Sequence, residues 1–385
     1  MHLPHLHTAQ ELAKQALHLS NPNPRVGCVL TDASGRVLGQ GHTQAVGGPH
    51  AEVMALRDAQ GQGHDVRGGT AYVTLEPCSH HGRTPPCCDA LVAAGLAEVV
   101  IATLDPNPLV AGQGAERLRA AGLRVQIMPA NSPESMASRE LNIGFFSRMR
   151  RGRPWVRLKM AASLDGISAL PNGVSQWITG EAARADGHAW RARACAVLTG
   201  VGTVRTDNPM LDVRALPTTR QPALFVVDSR FDTPPSAALL QPLASGQPRA
   251  VHIVGTEGQA QAHPERLAAL QAAGAHTLAL TADSTQAKLD LTELMAHLGR
   301  SDVNELHVEA GHGLNASLFR GGWVDECLIY LAPQLLGQGA GMASLGPLNA
   351  LSEGVALSFG TIDRVGPDLR VIARVGEHQN FLHLD

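Results

Sequence analysis

A chain of 385 residues is long enough for two domains, since single domains usually run to roughly 100–200 residues. Hydrophobic residues make up 44% of it and aromatics only 3%, so its cores should be built from Ala, Val and Leu rather than from rings. The formal net charge of −3, with no basic block and no apolar run of membrane-spanning length, argues against a dedicated nucleic-acid binder and against a membrane protein.

The first third alternates helix and strand patterns. His7 to Leu19 reads as a helix, ended by Asn21-Pro22-Asn23-Pro24, because each Pro disfavours helix in the residue before it. Val26 to Leu30 and Val37 to Gly41 are β-rich and joined by a turn, which predicts a hairpin. Helices follow at Ala51 to Asp58, Cys87 to Ala94 and Gly112 to Ala121. Strands follow at Thr70 to Leu75, Glu98 to Thr103 and Leu123 to Ile127. The pattern predicts a mixed sheet sandwiched between helices. Ser132 to Arg150 reads as one helix with a basic exit, Arg148 to Arg153, that suits the helix macrodipole. Pro154 then opens a fresh strand, so the domain boundary is placed near residue 150, giving domains 1–150 and 151–385.

The second part alternates again. Strands are expected at Trp155 to Met160, Ala196 to Leu198, Ala223 to Val227, Val251 to Val254, Glu305 to Val308, Cys327 to Leu331 and Arg370 to Ala373. Helices are expected near Glu181 to Arg193, Glu265 to Ala273, Thr285 to Leu298 and Leu314 to Arg320, with Thr256 to Pro264 a plain loop. The N-terminus, Met1 to Gln10, lacks a basic stretch followed by an apolar core. It does not read as a signal peptide, and a cytoplasmic location is expected. Of the six cysteines, Cys28, Cys195 and Cys327 are expected to be small buried hydrophobes.

Three short junctions concentrate metal-type residues. They are Pro49-His50-Ala51-Glu52 at a loop-to-helix junction, Glu76-Pro77-Cys78 after a strand, and Pro85-Pro86-Cys87 opening a helix. One imidazole and two thiolates leave the fourth position of a tetrahedral zinc for water, as in catalytic rather than structural sites. Zinc lowers the pKa of such a water to about 7. Glu52, two residues after His50, is the wrong type to complete a thiolate-rich site but is placed to shuttle a proton to a leaving amine. His, two Cys and a non-ligand Glu are the parts of a zinc deaminase. Cys88 competes with Cys87 as a ligand; Cys87 is favoured because it follows the Pro-Pro turn. The two cysteines are separated by eight residues, Ser79 to Pro86, where the common deaminase signature is Pro-Cys-x-x-Cys.

The run Asn23-Pro24 through Gly27-Cys28-Val29, then His50-Ala51-Glu52, then Leu75 to Cys87 closely resembles the bifunctional deaminase/reductase of bacterial riboflavin biosynthesis, the RibD family. The long spacer is that family's form of the motif, and Asp105-Pro106-Asn107-Pro108 also fits. The resemblance implies His50, Cys78 and Cys87 as zinc ligands, Glu52 as proton shuttle and Asn23 against the pyrimidine. His80, His81 and Arg83 would be partners for substrate phosphate.

In the second part, Trp155, Arg157 and Lys159 share one face of a strand, which reads either as a site or as a solvent-facing edge. Glu309 to Ala316 fits Gly-x-Gly-x-x-Ala after a strand, so its backbone N–H groups could cradle a phosphate, although no standard Rossmann unit follows. Lys159 to Gly166, Ser175 to Thr179, and Gly202 through Asp207-Asn208-Pro209 to Arg214 resemble the reductase half of the same family. Val174 departs from it, standing where a polar residue is expected. The resemblance implies a cytidine-deaminase-like three-layer α/β/α domain followed by a dihydrofolate-reductase-like α/β domain. It implies NADPH contacts at Ala161, Trp177, Thr203, Asp207 and the loop Gly311, His312, Gly313, Leu314, Asn315, Ala316, Ser317. Substrate contacts would fall on Lys159, Ser175, Arg191, Leu211, Arg214 and Glu309, with Arg191 and Arg214 suited to a sugar phosphate.

The expected enzyme takes a small pyrimidine ribosyl phosphate, 2,5-diamino-6-(5-phosphoribosylamino)pyrimidin-4-one. It deaminates the substrate with zinc and then reduces the ribosyl chain to ribityl phosphate with NADPH. The expected assembly is a homo-oligomer without nucleic-acid or membrane partners. The nearest alternative is a nucleoside, base or tRNA deaminase fused to an unrelated domain.

Overall fold

The computed structural model describes residues 3–79, 85–108, 110–283 and 288–383. The chain divides into two compact units, Met1–Gly152 with Asn380–Asp385, and Arg153–Gln379. The C-terminal turn Asn380–Leu382 belongs to the first unit because two arginines of that unit hold it. Arg139 donates to the Leu382 carbonyl at 2.7 Å and Arg150 to that of Phe381 at 2.6 Å.

The first unit contains α1 (Leu3–Gln15), β1 (Gly27–Thr31), β2 (Val37–His42), α2 (Ala51–Gly61), β3 (Thr70–Val73), α3 (Cys87–Ala93) and β4 (Glu98–Ile101). It continues with α4 (Gln113–Ala120), β5 (Arg124–Ile127), α5 (Pro133–Leu141) and α6 (Ile143–Arg151). Its sheet runs β2-β1-β3-β4-β5. β1 is antiparallel to β2 and β3, and β3, β4 and β5 are parallel. This is the expected mixed sheet between helices. α1 buries Leu6 and Ala9 against Val29, Tyr72 and Val100 on one face. On the other face α2 lies directly on the backbone of β2. A Cβ at Gly41 would sit 2.4 Å from Ala55 N and 2.5 Å from Ala51 O, and one at Gly39 2.4 Å from Ala55 O. Only glycine at these two positions lets the helix approach so closely. That approach sets the depth of its first turn, which carries Glu52.

The second unit contains β6 (Trp155–Ser163), β7 (Ile167–Ala169), α7 (Glu181–Arg193), β8 (Ala196–Gly200), α8 (Val201–Asp207), β9 (Ala223–Val227), β10 (Val251–Thr256), α9 (Glu257–Ala262) and α10 (Pro264–Ala272). It continues with β11 (His276–Leu280), α11 (Leu291–Arg300), β12 (Glu305–Val308), α12 (His312–Arg320), β13 (Glu326–Ala332), β14 (Ala340–Gly341), β15 (Leu357–Val365) and β16 (Asp368–Val375). Its main sheet runs β11-β10-β9-β8-β12-β6-β13-β16-β15. β11 through β13 are parallel; β16 and β15 add an antiparallel edge.

β6 is therefore central, not a solvent-facing edge. Its Val156, Leu158 and Met160 enter the apolar core with α11 residues Leu294, Met295 and Leu298. Its Trp155 and Arg157 are buried on the opposite face. There Arg157 donates to Glu305 at 2.9 Å and to Glu326, and lies 4.5 Å over the ring of Trp190 from α7. Arg193, also on α7, donates to the same Glu305 at 2.7 Å. Removing one member of such a cluster leaves a buried charge uncompensated, at a cost of about 3–5 kcal/mol.

Three expectations need correction. The single helix over Ser132 to Arg150 is two helices, because Asn142 interrupts it at φ −108° and ψ 21°. Its side chain accepts from Arg25 N at 2.7 Å and donates back to Arg25 O at 2.9 Å, pinning the break to the segment before β1. The stretch Thr256 to Pro264 is not plain loop but holds α9, whose N-cap Thr256 accepts from Gln259 N. The helix expected from Thr285 starts instead at Leu291, after the cap Asp290 accepts from Thr292 N; residues 285–287 lie outside the described residues. β7, α8, β11, β14 and β15 were not foreseen. α8 is short and glycine-containing, and β15 lacks a buried face for alternation to mark.

Candidate functional site

Two helix N-termini build the first site. His50 is the N-cap of α2, in extended conformation, and Glu52 lies in that helix's first turn. Cys87 is the first residue of α3, following the N-cap Pro86. Cys78 comes from the segment after β3. The Cys78 and Cys87 sulfurs lie 3.6 and 3.3 Å from His50 Nδ1, and the three ligand atoms all fall within 4.8 Å of one another. Among the described residues, this is the one cluster of three His, Cys, Asp or Glu ligand atoms so placed. Cys88 turns the other way, its sulfur donating toward the carbonyls of Pro77 and Gly114. Consecutive residues on a helix diverge by about 100°, so only one of the two can face His50.

The electrostatics suit a metal. The Cys87 amide donates to Cys78 Sγ at 3.3 Å, as a free N–H at a helix start should. Hydrogen bonding from Cys87 and His50 pushes Cys78 down to about 4. The same Cys78 contact, with burial, holds the proton on Cys87. Without a metal the pair thus shares one proton, which a soft divalent cation displaces. Glu52 is almost wholly buried. Burial, reinforced by the Cys78 charge, lifts its carboxyl to about 7. A carboxyl poised near neutrality can both take and give a proton at physiological pH.

Glu76, which the sequence marked only as a neighbour of Cys78, has a positioning role. Its carboxylate accepts from the amides of Asp105, Gly112 and Ala115 at 3.1, 3.0 and 3.0 Å. It thereby caps α4 and fixes the loop bearing Asp105 and Asn107 beside the strand that leads to Cys78. Burial raises the Asp105 carboxyl to about 7. Asn23 is half-buried in the turn before β1. His80, His81 and Arg83 lie outside the described residues.

The second unit gathers another cluster at the carboxyl end of β12. Glu309 receives a bidentate pair from Arg191 of α7, at 2.6 and 3.1 Å. Arg191 also donates to the Asp212 carbonyl and contacts His188 Nδ1 at 3.4 Å. Its guanidinium is therefore committed within the protein. Arg214 pairs with Asp212 but keeps more than half of its side chain exposed. Lys159 projects from β6 into the same group, and burial lowers its ammonium pKa, with Arg191 adding to the effect and Glu309 opposing it. Leu211 holds a left-handed backbone at φ 51°, a strained conformation for a leucine.

The expected cofactor residues are distributed around α8 and α12. Gly311 is the N-cap of α12, and a Cβ there would lie 3.7 Å from the Thr203 hydroxyl of α8. Gly311, His312 and Gly313 are exposed at the start of α12. Asn315 and Ala316 are buried, Leu314 packs against the core, and the Ser317 hydroxyl turns back to Gly313 O. Asp207 ends α8, its carboxyl raised by burial. Ala161 is half-buried on β6, and Ser175 is half-buried on the loop after β7. Trp177, two-thirds exposed, lies on the same loop beneath Arg184.

Sequence reading missed a cavity of this unit, about 780 Å³, which opens from Val201 at the start of α8. It is lined by Ser229, Arg230, Asp232, Arg266 and Lys288 among others. The only signal available was the scarcity of lysine, which makes Lys288 conspicuous. Its cationic partners come from distant segments.

Comparison with known proteins covers both units. A family model described as the cytidine and deoxycytidylate deaminase zinc-binding region matches residues 2–103, and one described as the RibD C-terminal domain matches residues 154–371. The chain is 42% identical to the riboflavin biosynthesis protein RibD of Escherichia coli over 374 residues, covering 94% of this chain and 96% of that protein. It is 37% identical to the RibD of Aquifex aeolicus, covering 94% and 95%. The solved structure of Acinetobacter baumannii RibD, form 1, superposes with a TM-score of 0.84 at 36% identity, over 97% of this chain and 98% of that one. The Thermotoga maritima diaminohydroxyphosphoribosylaminopyrimidine deaminase/5-amino-6-(5-phosphoribosylamino)uracil reductase superposes at 0.82 with 30% identity, over 97% and 98%.

Proposed function

Because this chain belongs to the RibD family, whose members are bifunctional deaminase/reductases of riboflavin biosynthesis, we propose that its two units perform those two activities in sequence. The first unit carries the deaminase and the second the reductase. The substrate is the small molecule 2,5-diamino-6-(5-phosphoribosylamino)pyrimidin-4-one. The observation that carries this reading is the convergence of His50, Cys78 and Cys87 beside a buried Glu52.

One imidazole and two thiols fit zinc, which such a set prefers over harder cations. His50, Cys78 and Cys87 would hold it, and when bound it supplies a water acidified to near neutrality. Glu52 would take a proton from the attacking water and hold it beside the ring carbon that bears the amino group. It returns a proton to the departing nitrogen, so the C–N bond breaks and ammonia leaves. The Cys87 amide steadies the charge on Cys78 throughout.

NADPH fits the second unit, where Gly311, opening α12, lies close to Thr203 of α8 and a cavity lined by Arg230, Arg266 and Lys288 reaches Val201 in the same helix. When bound it supplies a hydride for C1′ of the opened ribose. Glu309 and Lys159 hold the sugar hydroxyls and manage the accompanying proton. Arg214 is the more exposed cation for the sugar phosphate, while Arg191 orients Glu309. Lys288, together with Arg266, which is paired with Asp232 at 2.6 Å, recognises the 2′-phosphate of the adenosine end.

The chain acts as a homo-oligomer in the cytoplasm. In support, the edge strand β15 exposes Leu357, Phe359 and Ile362, an apolar row of the kind that partners cover. No helix among the described residues is long and apolar enough to cross a membrane.

Glu52→Gln should reduce ammonia release by about a thousandfold or more, within the usual worth of a general acid–base together with its charge. It should keep one equivalent of zinc and full NADPH-dependent activity on the deaminated substrate. In the same metal analysis Cys87→Ala should lose zinc and Cys88→Ala retain it; the opposite pattern would reassign the ligand.

Replacing both Arg266 and Lys288 by Ala should raise KM for NADPH by about tenfold to a hundredfold, the worth of one or two charge-assisted contacts, while leaving KM for NADH nearly unchanged. Equal weakening of both cofactors would remove these residues from 2′-phosphate recognition.

A further inference from the structure

His307 is a fully buried titratable group of the second unit that the proposed chemistry does not use. It sits in the middle of β12 with its side chain wholly inaccessible, and neither ring nitrogen has a well-aligned hydrogen-bond partner. A buried polar ring without partners costs stability unless its position serves something else.

Its surroundings show what that is. Alternation along β12 puts Glu305, His307 and Glu309 on one face, the face covered by α7. The register sets His307 beside Arg157 of β6, and Arg157 is already paired with Glu305 and Glu326. On its other side His307 Nε2 lies 3.3 Å from Glu309 Oε1, the oxygen that also receives Arg191 Nε at 2.6 Å. The imidazole thus separates a closed ion cluster from the Glu309 carboxylate at the site. The charged groups facing it are Arg157 from β6, Glu305 and Glu309 from its own strand, and Arg191 from α7. Lys159 of β6 and His188 of α7 lie farther along the same network. Burial keeps the ring neutral, against the pull of Glu309. A neutral imidazole has one N–H, and the Glu309 carboxylate is an acceptor 3.3 Å from Nε2.

We propose that His307 is a positioning residue for Glu309. Its Nε2–H turns toward Oε1 and holds the carboxylate ionised and oriented for the ribose end of the substrate. This rests on the reading that Glu309 binds that substrate. The contact is 3.3 Å long and off-line, so a small rotation of the carboxylate brings it onto the ring N–H. An apolar residue would fill the same space between β6 and α7 but would leave Glu309 with Arg191 and the charge of Lys159, without the imidazole N–H.

The experiment uses the full-length enzyme with NADPH and the deaminated substrate. It follows kcat/KM across pH for His307→Leu, His307→Gln and Glu309→Gln, with NADPH binding as the readout of an intact second unit. Glutamine places an amide N–H close to where Nε2 lies. His307→Leu should lower kcat/KM about tenfold, the worth of one hydrogen bond to a buried charge. Its acid limb should move to higher pH, because a carboxylate that loses a donor protonates more readily. His307→Gln should recover most of both, and should carry the test if the leucine variant fails to bind NADPH. A leucine variant that binds NADPH with an unshifted acid limb, or a glutamine variant that binds NADPH but recovers neither effect, would overturn the inference. If Glu309→Gln itself leaves kcat/KM unchanged, the reading of Glu309 fails instead, and the two failures are thereby distinguished.

Discussion

Three soft ligand atoms from separate parts of the chain must meet within 4.8 Å, and much of the first unit can be understood as the means to that end. His50 is 28 residues from Cys78 and 37 from Cys87. The sheet brings them together because β1 lies between β2 and β3, so the helices that follow β2 and β3 start on the same side. Both helix starts point partial positive charge at the same spot, which favours thiolate there. Gly39 and Gly41 let α2 rest on bare backbone, so Glu52 arrives buried beside the ligands rather than above them. Glu76 stiffens the adjoining loop by taking three amides at once.

The second unit meets a different constraint with similar means. Its central strands carry charge on one face and pure hydrocarbon on the other. The charged face is tolerable only because α7 covers it with Trp190, Arg191 and Arg193. At one end Arg157 and Arg193 are paired with Glu305 and Glu326. At the other, Glu309, Lys159 and Arg214 remain available beside the open side of the sheet. A buried ionic network of this kind adds little net stability, but it fixes the orientation of groups that must not wander.

Much of this was legible in the sequence, for definable reasons. The candidate metal ligands sit in short junctions whose residue types have few other uses, and the long Cys78-to-Cys87 spacer narrowed the family. The alternation in β6 was visible, but whether its charged face met solvent or protein depended on α7, distant in the chain. The cationic cavity was not visible, because Arg230, Arg266 and Lys288 come from separate segments and each alone looks like a solvated surface charge. His307 was invisible for the same reason: a lone histidine in an apolar strand acquires meaning only from its neighbours across the sheet. The break at Asn142 escaped because its cause, a pair of hydrogen bonds to Arg25, lies at the other end of the unit.

The central claim is that one chain deaminates first and reduces second. It is tested most directly by supplying the diaminopyrimidine ribosyl phosphate to the zinc-loaded enzyme and following ammonia release and NADPH oxidation together. The expected result is ammonia release at the same initial rate with or without NADPH, and NADPH oxidation that begins only after a lag and approaches one equivalent per ammonia. NADPH oxidation without a lag and without ammonia, or ammonia release with no NADPH oxidation at all, would contradict it.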